Sequence, residues 1–74
     1  MTEKFYRVYG RKTKSDRYRA MDTNTGNLVN NLIYATFFMP KDLPKVKKYV
    51  KKLKSRGFDA IIKDNRGNKL KKVV

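Results

Sequence analysis

The sequence predicts an α+β fold: a small, mainly antiparallel sheet of three to five strands with one amphipathic helix packed on one face, in the order ββ(β)αβ(β). One long segment repeats apolar residues at three- and four-residue spacing, which is typical of an amphipathic helix. Short segments rich in aromatic and β-branched residues lie on both sides of it, separated by Gly, Asn and Asp turns. The 74 residues contain no linker and no internal repeat, so we expect a single small basic domain over residues 1–74.

The first two strands are predicted to form a hairpin. Residues 4–9 are rich in strand-forming side chains, and their alternation puts Arg7 and Tyr9 on the same face. Residues 10–16 are a polar, basic turn. Residues 17–21 then alternate again and are the second predicted strand.

A third strand is predicted after a second turn. Residues 22–27 are rich in turn-forming residues, and Gly26 can adopt a positive φ there. The following run, residues 28–39, is apolar on both of its alternating faces, so we expect it to be the central strand of the sheet. Pro40 ends this strand because proline has no N–H to donate to a neighbouring strand.

Residues 40–57 carry the clearest periodicity of the chain and are predicted to form one helix. Asp42 suits the N-cap, Pro44 is tolerated in the first turn, and Gly57 fits the left-handed residue after the last turn. The apolar stripe of this helix consists of Leu43, Val46, Tyr49, Val50 and Leu53. At about 100° per residue these side chains fall on one side, where they need a sheet to cover them.

The remaining residues are predicted to return to the sheet. Residues 58–63 are a fourth strand with Phe58 and Ile62 on one face, and residues 64–68 are a turn. Residues 69–74 are either a short edge strand or a basic tail, and the sequence leaves both open.

Neither catalysis nor a metal or cofactor is expected. The chain has no His and no Cys, so the usual general bases, nucleophiles and nitrogen or sulfur metal ligands are missing. Four acidic residues have ordinary structural positions in predicted turns or at the helix cap: Asp16, Asp22, Asp42 and Asp64. The other two, Glu3 and Asp59, have no second acid at a spacing that would hold Mg²⁺. We therefore predict a non-enzymatic protein.

The charge balance indicates the class of partner. The chain has 20 Lys and Arg residues against 6 Asp and Glu residues, a formal charge of +14. The basic side of the predicted helix carries Lys45, Lys47, Lys48, Lys51, Lys52, Lys54 and Arg56. A face of one sign in a cationic chain favours a polyanion. The alternatives are a solvated face that only aids solubility, and an anionic membrane surface, which is disfavoured because the apolar stripe must cover the sheet.

A second candidate surface is the interleaving of aromatic and arginine residues in the first hairpin. It consists of Tyr6, Arg7, Tyr9, Arg11, Arg17, Tyr18 and Arg19. On an exposed sheet face, arginines contact phosphates or guanine edges, and an exposed Tyr6 or Tyr18 would stack on an unpaired base. The alternative, which we favour for the individual tyrosines, is that Phe5, Tyr9 and Tyr18 belong to the core and the arginines extend from the exposed side. The full set of candidate nucleic-acid-binding residues is Arg7, Arg11, Lys12, Lys14, Arg17, Arg19, Lys45, Lys48, Lys51, Lys52 and Arg56.

The middle of the chain resembles small proteins of phages and prophages in low-GC Gram-positive bacteria. The resemblance lies in the AMD block at residues 20–22, in Gly26, and in the NLIYATFF block at residues 31–38, and it covers residues 17–63. In those proteins similar blocks precede one helix and a final strand, so the resemblance implies the same order here and no particular activity. The present chain is far more basic in its helix and tail.

The predicted topology also resembles that of the arm-binding domains of tyrosine integrases. Those domains combine a three-stranded sheet with a helix and place a sheet face in the major groove of DNA. The resemblance points to Arg7, Arg17 and Arg19 as DNA contacts.

These observations predict a nucleic-acid-binding accessory protein, encoded by a phage and located in the cytoplasm of a bacterial host. No segment has the length and hydrophobicity of a signal peptide or a membrane span. The second hypothesis is a protein-interaction module that docks on an acidic host or phage protein and modulates defence or transcription. DNA and RNA, single and double strands, sequence specificity and the oligomeric state stay open at this point.

Overall fold

The computed structural model describes residues 4–70, and these contain five strands and one α-helix. The strands are β1 (Tyr6–Arg11), β2 (Arg19–Asp22), β3 (Asn27–Leu28), β4 (Phe37–Phe38) and β5 (Asp59–Asp64), and the helix is α1 (Leu43–Ser55). The strands form a curled antiparallel sheet, and α1 packs on one of its faces. The predicted fold class, an antiparallel sheet with one helix, is confirmed.

β1 is the centre of the sheet. β5 pairs with the whole length of β1, beginning with Tyr6 opposite Asp64. The other edge of β1 is divided between two short strands, since β2 pairs with it at Tyr9 and β4 pairs with it at Arg7. β3 pairs with the far side of β2. The central position therefore belongs to the first strand of the chain.

The prediction of a central strand over residues 28–39 is wrong. Only the two ends of this segment are in strands, and a short 3-10 helix, Leu32–Tyr34, lies between them. Asn31 Oδ1 accepts a hydrogen bond from the backbone N–H two residues further on (3.1 Å), which favours a turn over a strand. Thr36 then donates its N–H to the carbonyl of Met21 (3.2 Å) and holds the start of β4 beside β2. Polar residues on both sides of the apolar run thus bend it away from an extended path.

The core lies between α1 and the face of the sheet that α1 covers. Its fully buried large side chains are Val8, Met21, Val46, Val50 and Ile62. The other apolar residues of the helix stripe, Leu43, Tyr49 and Leu53, are half-buried against this cluster. The predicted stripe is therefore confirmed.

The start of α1 differs from the prediction. A 3-10 turn, Pro40–Asp42, precedes the helix, and Pro44 lies in the first helical turn as predicted. Asp42 is the N-cap residue of α1, as predicted, but its side chain makes no cap hydrogen bond. Asp42 has a helical backbone (φ −93°, ψ −1°) as part of the 3-10 turn, whereas a capping carboxylate belongs to an extended residue.

The end of α1 is a Schellman motif around Gly57. Gly57 has a φ of 83°, a left-handed conformation that glycine adopts without strain. Its N–H donates to the carbonyl of Lys54 (3.0 Å), and the N–H of Phe58 donates to the carbonyl of Leu53 (3.0 Å). The predicted role of Gly57 is confirmed, and the motif directs the chain into β5.

β1 extends beyond the predicted end of the first strand at Tyr9. Gly10, predicted as part of the turn, lies in β1 and faces the core beside Phe58. A Cβ atom on Gly10 would overlap the Phe58 ring, so the close packing of this ring explains the glycine. The hairpin turn to β2 consists of residues 12–18.

The last described residues begin to pair with the outer edge of β5. In the predicted turn at residues 64–68, Asp64 Oδ1 accepts two backbone N–H bonds of 2.9 Å each. Lys69 then forms an antiparallel bridge with Lys63. Residues 71–74, which make up most of the predicted edge strand or tail, lie outside the described residues.

Candidate functional site

The candidate residues separate onto surfaces that face opposite directions. The side of α1 that points away from the sheet, called the helix surface below, carries Lys45, Lys47, Lys48, Lys51, Lys52, Lys54 and Arg56. The sheet face opposite α1, called the open face below, carries Arg7, Tyr9 and Arg11 of β1 and Ile61 and Lys63 of β5. Ile61 is buried on this face, and the other four residues are half-buried. Because the sheet and the core lie between them, a flat ligand cannot contact both surfaces at once.

The helix surface is open to solvent. Lys48, Lys51 and Lys52 are exposed and, at about 100° per residue, point most directly away from the buried stripe. Lys47 joins Lys48 and Lys51 around a shallow hollow of about 350 Å³ beside Pro44. Three lysine side chains therefore line a space that an anion can enter.

Within the described part of the chain, no residue of the helix surface forms an ion pair, although Asp59 is close enough to Lys54 for their charges to attract each other. The one ion pair among residues 4–70 joins Arg11 to Asp59. Like charges one turn apart, such as Lys48 and Lys52, repel each other by roughly 0.2–0.5 kcal/mol in an isolated helix. The helix surface therefore costs stability until an external anion neutralises it.

The turn between β1 and β2 continues the helix surface. Lys12 and Lys14 of this turn line a cleft of about 390 Å³ together with Lys54 of α1. Asp59 also lines the cleft, but its carboxylate is bound by Arg11. The fold thus brings together lysines that were predicted from two separate segments.

Arg11 has internal partners. Its Nε donates to Asp59 Oδ2 (2.6 Å), and its Nη1 donates to the carbonyl of Lys14 (3.0 Å). Its guanidinium lies 4.4 Å from the centroid of the Tyr18 ring. The hydrogen bond from Arg11 holds the pKa of the Asp59 carboxyl below its ordinary value, and burial raises the pKa of the Tyr18 phenol. Arg11 anchors the turn to β5 and is less available to a phosphate than the nearby lysines.

Arg17 and Arg19 lie around a second cleft, of about 520 Å³, which Lys12 and Asp16 also line. Both arginines are exposed. Arg19 Nη1 donates to Asn30 Oδ1 (3.3 Å), which orients it along the sheet edge. Lys12 belongs to both clefts, so a basic surface extends from the helix surface across the turn to these arginines.

On the open face, cations alternate with aromatic rings. The Arg7 guanidinium lies 4.9 Å from the centroid of the Phe5 ring, and Lys63 Nζ lies 5.0 Å from the centroid of Tyr9. Phe5 packs edge-to-face against Phe37 with 5.6 Å between centroids. Rings and positive charges therefore occupy one continuous stretch of the sheet.

The alternative that Phe5, Tyr9 and Tyr18 form the core is wrong. Tyr6 and Val8 carry the core side of β1, and the two-residue alternation of a strand puts Tyr9 on the open face. Tyr6 is only 8% exposed and cannot stack on a base. Tyr18 is half-buried.

Four large apolar side chains of the segment predicted as the central strand are exposed. Their exposed fractions are 47% for Leu32, 77% for Ile33, 67% for Tyr34 and 59% for Phe37. Sequence reasoning missed them because an uninterrupted apolar run resembles a buried strand. The signal for a turn is Asn31, whose side chain caps the 3-10 helix.

Comparison with known protein families, curated proteins and solved structures found no match. The resemblance of residues 17–63 to phage proteins stays a prediction. The function is inferred below from the chemistry of the two surfaces.

The acidic residues in the described range form no metal centre. Among residues 4–70, no group of three or more His, Cys, Asp or Glu residues is placed to hold a metal ion. The buried carboxylate of Asp64 closes a turn, and the N–H groups of Asn68 and Arg66 hold its pKa below the ordinary value. Over the same range, no helix has the length and apolar character needed to cross a membrane.

Proposed function

We propose that this chain is a non-enzymatic nucleic-acid-binding accessory protein, encoded by a phage and active in the cytoplasm of a bacterial host. It binds mainly through Lys and Arg contacts to phosphates. The observation that carries the proposal is the helix surface, a row of exposed cations with no acidic partner within residues 4–70.

Phosphate binding would offset the electrostatic cost of this surface. Each phosphate that meets a lysine releases condensed counterions, and this release supplies most of the affinity of non-specific binding. α1 is 13 residues long, which corresponds to about 20 Å, and Lys12 and Lys14 extend the surface beyond its end. That length accommodates several phosphates of one nucleic-acid strand or duplex.

The first experiment is a fluorescence-anisotropy titration of the protein with duplex DNA, single-stranded DNA and RNA at increasing salt concentration. If about six phosphate contacts form on a duplex, the affinity should fall by roughly 10³-fold between 50 and 200 mM salt. A flat salt response, or no binding to any of the three, would overturn the proposal.

Charge reversal locates the contacts. We expect the double variant Lys48→Glu, Lys51→Glu to weaken binding and to reduce the salt slope by about two or more, since each phosphate-binding lysine contributes about one to the slope. The matched control is Arg66→Glu, Lys69→Glu, which changes the net charge equally at exposed positions after β5. Equal losses in both variants would mean that net charge, and not the helix surface, governs binding.

A second candidate function is a protein-interaction module that docks on an acidic host or phage protein. The observation that favours it is the exposure of Leu32 and Ile33, since exposed apolar side chains beside charged ones are common at protein interfaces. This function predicts stoichiometric binding to one acidic protein and weak binding to all three nucleic acids.

A further inference from the structure

Two aromatic rings that do not belong to the core, one on the open face and one in the 3-10 helix before β4, are exposed to solvent. Tyr34 is 67% exposed and Phe37 is 59% exposed, whereas the apolar core residues are nearly inaccessible. Phe37 is opposite Arg7 in the pairing of β4 with β1, which places it on the open face. Tyr34 belongs to the 3-10 helix that precedes β4.

The 3-10 helix lies at the margin of the same face. Leu32, its first residue, lines a shallow cleft of about 250 Å³ together with Tyr9 and Ala20. Tyr9 and Ala20 are paired across β1 and β2, so their side chains share the open face. The rings that line this cleft are those of Tyr9 and Tyr18.

Two positively charged side chains lie among the rings of the open face. β1 and β5 pair so that Arg7 lies opposite Lys63. Arg7 contacts Phe5, and Lys63 contacts Tyr9. Neither cation has an acidic partner among residues 4–70, and Arg7 Nε is buried without a hydrogen-bond partner there. Arg7 as a whole is half-buried, so a ligand oxygen can contact only the solvent-accessible part of its side chain.

We infer that the open face binds single-stranded nucleic acid, with bases stacked on Phe37 and Tyr34 and the phosphates near Arg7 and Lys63. This inference rests on the proposed function and specifies that the open face binds single strands. Aromatic rings accept any unpaired base, because every base has a π-face. In a duplex those π-faces are already stacked on neighbouring bases, so we expect a duplex to bind the helix surface and not the open face.

The test compares ring removal with removal of an equally exposed apolar side chain. Phe37→Leu and Tyr34→Leu keep an apolar side chain and delete the ring at exposed positions. Because Phe37→Leu also removes the edge-to-face contact with Phe5, circular dichroism checks that each variant is folded. Ile33→Ala is the matched control, since Ile33 is 77% exposed in the same 3-10 helix and has no ring. The probes are labelled oligothymidine, labelled oligouridine and a duplex of the same length. A length of about 15 nucleotides is within the range of site sizes of surfaces that bind single strands.

We expect each ring deletion to weaken binding of the single strands about tenfold and to leave duplex binding and the salt slope unchanged. Phe37→Tyr should bind like the unmodified protein, because the ring is retained. Ile33→Ala should also bind normally. The two labelled single strands together show whether DNA or RNA is preferred.

Other outcomes would overturn the inference in distinguishable ways. If ring deletions have no effect while salt-dependent binding persists, stacking on the open face is refuted and the proposed function stands. If Ile33→Ala weakens binding of the single strands as much as ring deletion does, apolar contact with this segment, and not stacking on the rings, holds the strand. If the unmodified protein binds no probe, the inference and the proposed function both fail.

Discussion

Gly10 is a packing residue of β1. It follows Tyr9 and precedes Arg11, and in sequence this position suggests a turn. In the fold, the ring of Phe58 occupies the space where a side chain on residue 10 would lie, and Met21 Cε is 3.3 Å from the position of a Cβ atom. Because residue 10 has no side chain, the ring of Phe58 can pack on the sheet at this point.

Gly10→Ala should lower the free energy of unfolding by about 1–3 kcal/mol, because the added methyl group overpacks the contact with Phe58. Urea denaturation followed by circular dichroism measures this change. Combining it with Phe58→Leu should recover part of the loss, since leucine lacks the ring atoms that the methyl group meets. A Gly10→Ala variant as stable as the unmodified protein would contradict the packing explanation.

α1 is stabilised by the sheet rather than by its own sequence. Its polar side brings like charges together, and within the described residues none of them forms an ion pair. Val46 and Val50 are fully buried against Val8 and Ile62, and this apolar contact offsets the repulsion. Helix and sheet should therefore unfold together.

Ile62→Ala should destabilise the protein by about 2–5 kcal/mol, since it leaves a cavity beneath α1 at a side chain with no exposed surface. Leu53→Ala should cost less, because Leu53 is only half-buried at the rim of the core. Urea denaturation gives both values, and helix and strand signals should disappear in one transition. Equal losses at the two positions would show that the core extends to the end of α1.

The net positive charge of the protein destabilises its folded state. A formal charge of +14 is distributed over a molecule with a radius of gyration of 11.5 Å, so the cations repel one another at short range. Within residues 4–70 the ion pair between Arg11 and Asp59 offsets part of this repulsion, and Asp59 and Asp64 also attract Lys54 and Lys4. Neutralising the charge, by salt or by a bound polyanion, should favour the folded state.

Added sodium chloride should raise the free energy of unfolding between about 10 mM and about 100 mM, because the Debye length falls from about 30 Å to about 10 Å. Thermal denaturation followed by circular dichroism measures the effect. The variant Lys48→Glu, Lys51→Glu should show a smaller salt effect, since it removes part of the repulsion on the helix surface. Stability that is constant or falls with salt would contradict the view that repulsion strains the fold.

Local chemistry was sufficient for much of the fold. The 3.6-residue period predicted the stripe of α1, Gly57 predicted its end, and the fold class followed from the spacing of turns and β-rich segments. These features depend on residues within one or two turns of each other. The cations of the helix surface follow from the same period, because they are the complement of the buried stripe.

Pairing between strands that are distant in sequence decided which strand is central and where several side chains lie. The residues of a short apolar strand do not show whether it pairs along one edge or along both. Here β1 pairs with β5 on one edge and with β2 and β4 on the other, so β1 is the central strand and residues 28–39 are not. The same pairing turned Tyr6 inward, placed Arg7 among the rings of the open face and left Phe37 exposed. Alternation along a strand says which side chains share a face, but only the packing of α1 on one side decides which face is buried.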